Sequence, residues 1–307
     1  MQTKIPDKKL LRKDNFKAFN YTVTRLVVLI FFLSIILTKY DIPIIFRGAA
    51  LFFYFTTYSF LGMAGVSHEL LHNSLFTNPK LNKLFYKLFS ILTLNNYAYF
   101  QITHWKHHKK PLSDEDPKLL HSGKLPYITI FFWLTFDFYS FVNRFKILIL
   151  NSRGIIPNYR IKEILKTEKN GPENICKASR LILVFHLIFV CFTIALNQPS
   201  LILFVTLAPF VFTFPNKILA ISQHYGLLED KDMFNSCRTV KLPALLSYTY
   251  ANMNYHVEHH LFPGVPAYNL KQVHELLVRE DITRFKNLSV GLFGLLKDLQ
   301  KKGLFNS

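Results

Sequence analysis

Nine of the chain's 12 histidines fall into three short clusters and one isolated position. His68 and His72 stand in HELLH, His104, His107 and His108 in HWKHH, His256, His259 and His260 in HVEHH, and His224 in SQHYG. On a helix, positions i and i+4 share a face, as do i, i+3 and i+4, so each cluster can aim its imidazoles at one point. Eight or nine neutral nitrogen donors exceed the need of a single ion, and two metals with three to five ligands each is the natural count. The set holds almost no carboxylate and no thiolate, which suits iron or zinc by softness. HELLH alone is a weak signal, and nothing supplies a third ligand where an HExxH metalloprotease would have one. His121, His186 and His274 each stand alone and are expected to be satisfied core or surface residues.

The elements that must hold these rings are apolar. Half of the 307 residues are hydrophobic, 16% are aromatic and 18% charged, against about 25% charged in an ordinary soluble domain. This excludes a disordered chain and a disulfide scaffold. Cys176, Cys191 and Cys237 share no CxxC spacing, as expected in a reducing compartment. Four runs, at about 22–38, 44–66, 180–197 and 199–219, are expected to span a membrane. The links between the first and second and between the third and fourth are short enough to make two hairpins. Arg25 and Lys39 are expected to snorkel at the ends of the first span. That run is not a cleaved signal peptide, because it lies behind a basic arm and no small-residue cleavage site follows it.

Lys and Arg number 37 against 19 Asp and Glu, a formal charge of +18. The cations flank the apolar runs, pointing to anionic lipid headgroups and acidic substrates rather than nucleic acid, for which no motif is present. Of the 37, 33 lie in 1–25, 67–125, 151–180 and 217–307, while the hairpin tips carry only Lys39 and Arg47. By the positive-inside rule both termini and both long loops are cytoplasmic. His68 directly follows the second span and His224 lies just past the fourth, so all nine histidines fall on the cytoplasmic side, just outside the bilayer. Residues 126–150 are long enough to span, but Asp137, Arg144 and Lys146 interrupt them and a crossing would put 151–180 on the wrong side. They are expected to lie in the interface, and 81–101 is similar and shorter. From about 266 the chain reads as two amphipathic helices, with Leu276, Leu277, Phe285 and Leu292 among the apolar positions. The expected fold is therefore all-α and integral to the membrane. It forms one domain over 1–307, with four transmembrane helices and a cytoplasmic helical cap from 67–179 and 220–307.

HELLHNSLF, HWKHHKKPLSDEDP and NYHVEHHLFPGVPAYNL resemble the three histidine boxes of the membrane fatty acid desaturase/hydroxylase superfamily, and the resemblance runs from about residue 45 to 280. It implies a non-haem di-iron centre, O₂ activation, and electrons from a ferredoxin or a b-type cytochrome by way of a reductase. Carried over by position, it implies His68, His72, His104, His107, His108, His256, His259 and His260 as iron ligands, with His224 matching the isolated histidine after the fourth span. The acyl-CoA branch has an Asn four residues before that histidine; here the position is Ala220. No fused electron-carrier domain is visible.

An unactivated methylene C–H bond resists acid–base attack, because no side chain has a suitable pKa. Metal and O₂ carry the hard step and the protein positions the chain. Loss of a second hydrogen gives a double bond and oxygen rebound gives an alcohol. The expected activity is desaturation of a long-chain acyl lipid, the alternatives being a hydroxylase or ketolase of an alkane, carotenoid or other lipid, or a non-catalytic membrane metal-binding protein. A transported ion would need ligands at the midplane, which disfavours the last. Glu69, Glu258, Asp116, Asn252 and Asn254 are candidates to accept the outer N–H of ligating imidazoles. Trp105 is a candidate wall of an acyl channel. Lys106, Lys109 and Lys110 are candidates to meet a phosphate-bearing carrier, a headgroup or an acidic ferredoxin.

Overall fold

The structure is a computed structural model that describes residues 8–117, 124–227 and 229–305. It is mostly helical. The N-terminal half consists of α1 (Asn15–Leu37), α2 (Ile44–Ser59), α3 (Val66–Leu71), α4 (Pro79–Leu92) and α5 (Tyr97–Lys109), followed by α6 (Tyr127–Leu134), α7 (Phe138–Ser152) and α8 (Tyr159–Leu165). Then come α9 (Gly171–Ala195), α10 (Leu201–Val205), a 3₁₀ turn at Ala208–Phe210, α11 (Phe214–Ser222) and α12 (Met233–Ser236). The C-terminal part holds β1 (Thr239–Lys241), α13 (Ala244–Thr249), α14 (His256–Leu261), α15 (Leu270–Asp281), β2 (Leu288–Val290) and α16 (Gly291–Lys301).

Local chemistry sets the ends of these helices. Asp14 Oδ1 accepts from the amides of Phe16 and Lys17 and starts α1, and Asn78 caps α4 with Pro79 in the first turn, where a missing N–H costs nothing. Asn96 starts α5 by accepting from Tyr99 N, while its amide donates to Ile175 O and Ser179 Oγ of α9. One residue thus begins the helix of the second histidine cluster and fixes it to the longest helix. Asp137 does the same for α7, accepting from Ser140 N.

Among the described residues, α1 and α9 are the two helices long and apolar enough to cross a membrane. Both present large apolar side chains outward, Val27, Ile30 and Phe31 on α1 and Leu187, Ile188 and Phe192 on α9, a surface that water would penalise. The runs expected at 44–66 and 199–219 are not single helices. The second stops at Ser59 and gives way to turns before α3, because Gly62 and Gly65 allow close backbone approaches there. The fourth breaks into α10, the 3₁₀ turn and α11, with Pro209 and Pro215 at the starts of the last two. Residues 126–150 divide at 135–137 into α6 and α7, neither of them long enough to span.

Two further expectations are corrected. Arg25 does not snorkel: it lies mid-helix in α1, buried between the rings of Tyr21 and Tyr248 (4.4 and 4.7 Å from the guanidinium carbon) and donating to both residues' carbonyls. The fold is also not wholly helical, since β1 and β2 pair in parallel, Thr239 with Leu288 through Lys241 with Val290. The main core runs from α1–α4 to the C-terminal layer, and smaller clusters join α5 to α8 and α9, and Leu94 to Leu148, Ile182 and Phe210.

Candidate metal centre

Each histidine is delivered by a short, heavily braced segment. Before α3 the chain doubles back, Val66 N donating to Phe60 O and Ser67 Oγ to Leu61 O. Gly65 is required at this turn, because a Cβ there would lie 1.9 Å from Phe60 O. His68 and His72 follow one turn apart. α5 carries His104, His107 and His108 toward its C-terminal end. His224 follows α11. Before α14, Ala251 and Asn252 adopt left-handed φ of 60° and 54°, and the bridge of Thr239 to Tyr255 sets the register of His256, His259 and His260.

The nine rings converge in two adjoining groups. His68, His72, His104, His108 and His259 form one; His107, His224, His256 and His260 form the other; in each, the ligand atoms lie within 4.8 Å of one another. The groups meet where His108 stacks on His260, with centroids 4.2 Å apart. Nε2 atoms face inward: His72 to His104 at 2.8 Å, His108 to His259 at 3.2 Å, His107 to His224 at 3.1 Å, His224 to His256 at 2.9 Å, and His256 to His260 at 3.1 Å. Ala220 brings no ligand atom, leaving four nitrogens in the second group against five in the first.

Proton arithmetic tests whether these groups suit a metal. His107 Nδ1 lies 2.8 Å from Asp116 Oδ2, and His224 Nδ1 lies 2.8 Å from the backbone carbonyl of Ser236. A carboxylate and a carbonyl can only accept, so both Nδ1 atoms carry the proton. A neutral imidazole has one N–H, so with both rings neutral each Nε2 turns its lone pair toward the other at 3.1 Å. Such a contact is favourable when a cation, either a metal ion or a shared proton, lies between the two nitrogens. Two nitrogens about 2.1 Å from one ion, at tetrahedral or right angles, are themselves about 3.0–3.4 Å apart. Three of the five separations, at 3.1–3.2 Å, fall in that range, and the other two, at 2.8 and 2.9 Å, lie just short of it. Burial pushes the pKa values of His256 and His260 well below the ordinary histidine range, reinforced by neighbouring imidazoles, with His224 foremost at His256 and His108 foremost at His260. Both are therefore neutral and ready to ligate at neutral pH.

Two of the five expected outer partners touch a clustered imidazole. Asp116 meets His107 and also accepts from Leu112 N at 3.0 Å. Glu69 Oε1 lies 2.9 Å from His259 Nδ1, its other oxygen accepting from Ser74 Oγ. The remaining three are corrections. Glu258 pairs with His274 and accepts from Thr239 Oγ1, because its place between His256 and His259 on α14 turns it to the opposite face. Asn252 bonds Ser247 and Ala267 O, and Asn254 bonds Ser247 and Val240 O; both hold the turn that leads into α14. His186 is a satisfied core residue, bonded to Thr206 Oγ1 and Ile91 O. His274 is likewise buried and paired, and His121 lies outside the described residues. Trp105 is partly exposed, its ring edge-on to His72 at 5.1 Å. The Ser236 carbonyl was invisible to sequence reasoning, since any residue type supplies one.

The family model for fatty acid desaturases matches residues 45–288, a span that holds all nine histidines. Among curated proteins, none matches the chain.

Proposed function

From the premise that the chain belongs to the fatty acid desaturase family, we propose that it is an O₂-dependent membrane enzyme that introduces a double bond into a long acyl chain. The whole chain, 1–307, acts as one domain. Its four apolar runs form two hairpins, with termini and site on the cytoplasmic side. His68, His72, His104, His108 and His259 hold one iron, and His107, His224, His256 and His260 the other. The observation that supports this most strongly is the convergence of nine imidazoles into groups of five and four, the ligand atoms of each lying within 4.8 Å of one another.

When bound, two irons together with O₂ supply the oxidising power to break an unactivated C–H bond. The balance is one O₂, two hydrogens from neighbouring methylenes, two electrons and two protons, giving the alkene and two waters. The electrons come from a ferredoxin or a b-type cytochrome with its reductase. The chain's own residues orient and insulate. Asp116 fixes the tautomer of His107, and the Ser236 carbonyl fixes that of His224. Glu69, fully buried beside His259, places a negative charge behind the first group, which raises ligand basicity. His104, His256 and His259 are almost wholly shielded from solvent, while His72 and His108 are half-buried and form the open side of the first group.

Expression in a host of defined lipid composition, with fatty acid profiling and metal analysis, tests this. The expected result is a new unsaturated acyl chain and about two irons per chain. An unchanged profile with a new oxygenated product moves the assignment to a hydroxylase or ketolase. Zinc alone, or no metal, after iron-replete expression overturns the di-iron assignment.

A further inference from the structure

A second polar centre lies apart from the histidines, where α7 and α11 meet the lead-in segments of the first two clusters. Two cavities adjoin there, of about 170 and 200 Å³, and both are lined by Asn95 and Arg144. The first is also lined by Met63, Thr213 and Lys217, the second by Asn151. Arg144 and Lys217 are the only charged side chains lining either cavity. Lys217 Nζ lies 3.1 Å from Asp137 Oδ2 and donates to Ser140 Oγ at 2.7 Å. Arg144 Nη1 donates to Thr93 O at 2.8 Å, and that one bond leaves most of the guanidinium's five N–H groups for another acceptor. One carboxylate thus stands against two half-buried cations, the guanidinium lying over the Phe210 ring, and the pair carries a surplus positive charge.

Two further groups point at the same missing partner. Thr213 is 3% exposed and its hydroxyl has no hydrogen bond; Asn151 is fully buried and neither end of its amide has one. Buried polar groups are normally satisfied, and the Thr213 O–H and the Asn151 N–H groups, one in each cavity, can donate to the acceptor oxygens of a ligand held by the surplus cation. A planar guanidinium with an ammonium nearby matches phosphate. The surroundings narrow the source. α6 and α7 expose Tyr127, Phe131, Phe138 and Tyr139, aromatic residues of the kind that sit at headgroup level.

We propose that the cavities around Arg144, Lys217, Asn95 and Thr213 bind the phosphate of a membrane phospholipid at the cytoplasmic interface. The site is distinct from the metal centre but connected to it through the chain, because Met63 precedes α3 and Asn95 precedes α5. A headgroup held there braces the segments that present His68 and His104. The proposal rests on the membrane placement given above but not on turnover, since lipid retention is read without activity.

Full-length protein from nanodiscs containing phosphatidylglycerol, released and weighed by native mass spectrometry, should retain one phospholipid. Arg144→Gln should reduce retention about tenfold or more, as expected for losing a charge-assisted bidentate contact. Arg144→Lys should fall between. Thr213→Val supplies a test that does not depend on Arg144 variants folding. Removing an unpaired hydroxyl should raise the thermal midpoint of delipidated protein, yet reduce phospholipid retention. A parallel arm adds inorganic phosphate to delipidated protein. A midpoint rise with phosphate that Arg144→Gln abolishes, without lipid retention, assigns the same site to free phosphate. Equal retention by wild type, Arg144→Gln and Thr213→Val, with no response to phosphate, overturns the proposal.

Discussion

Replacing Asp116 is the most direct test of the proton arithmetic at the centre. Its Oδ2 receives both His107 Nδ1 at 2.8 Å and Leu112 N at 3.0 Å, and the residue is 1% exposed. In Asp116→Asn the amide oxygen can occupy the same place and accept both bonds, so the tautomer of His107 survives and only the negative charge is lost. That change should weaken iron binding by the lower end of what such outer partners contribute, about tenfold or roughly 1.4 kcal/mol. In Asp116→Ala nothing holds the proton on Nδ1. His107 can then carry it on Nε2, the atom that faces His224, and one of four nitrogens in the second group is withdrawn. Iron affinity should fall about a hundredfold, roughly 2.7 kcal/mol, with a further cost to the 112–116 turn from the freed Leu112 amide. Competition of iron against a chelator of known affinity, on detergent-purified protein, reads both. Equal affinities for wild type and Asp116→Ala would refute the tautomer assignment, whatever the activity.

Three other outcomes follow from the same geometry. Gly65→Ala drives a Cβ into the Phe60 carbonyl, a backbone atom 1.9 Å away, so α3 must shift at a cost of about 3 kcal/mol or more; purified variant with normal iron content and stability would contradict this. His186→Ala removes bonds to Thr206 Oγ1 and Ile91 O and should cost about 2–4 kcal/mol while leaving iron stoichiometry intact; iron loss like that of a ligand variant would show that His186 serves the centre. For the metal-free protein, His256 and His260 have folded pKa values well below the ordinary one. The unfolded chain therefore takes up protons first as pH falls below about 6.5, and stability drops from there down to the folded values, by up to about 1.4 kcal/mol per pH unit for each ring. Denaturant titrations of chelated protein from pH 7.5 to 5.5 check this; a flat or rising profile would mean that the two rings are not buried as neutral groups.

The convergence of the nine histidines was legible because its signal is local. Helical spacing within HELLH, HWKHH and HVEHH determines which rings share a face, and hydropathy places HELLH directly after the second apolar run. Even His224, one residue among many, was marked by following the fourth run. What the sequence concealed was direction and backbone. Spacing cannot say that Glu258 faces away from the neighbouring ligands toward His274, nor that Asn252 and Asn254 serve a turn. A hydropathy window counts apolar residues and passes over their punctuation: Pro209 and Pro215 lie inside the fourth run, and Gly62 and Gly65 inside the second, where the helices end. The strand pair β1–β2 has three residues in each member, too few for alternation to register.

The two groups of imidazoles do more than hold ions, because of where their members come from. The first group draws on α3, α5 and α14; the second on α5, on the end of α11 and on α14. Both therefore join α5 to α14, segments about 150 residues apart in the chain, and each adds one further element. In the absence of a cation these segments meet through short nitrogen–nitrogen contacts that need a shared proton to be favourable. With a cation present the same contacts attract, and the free energy of metal binding becomes free energy of closing the cap. Since either group alone ties α5 to α14, loss of one ion should loosen only its private element, α3 or the end of α11, while the common clasp persists. The centre is built as two overlapping clasps, and that overlap lets nine rings from four separate segments stay in register.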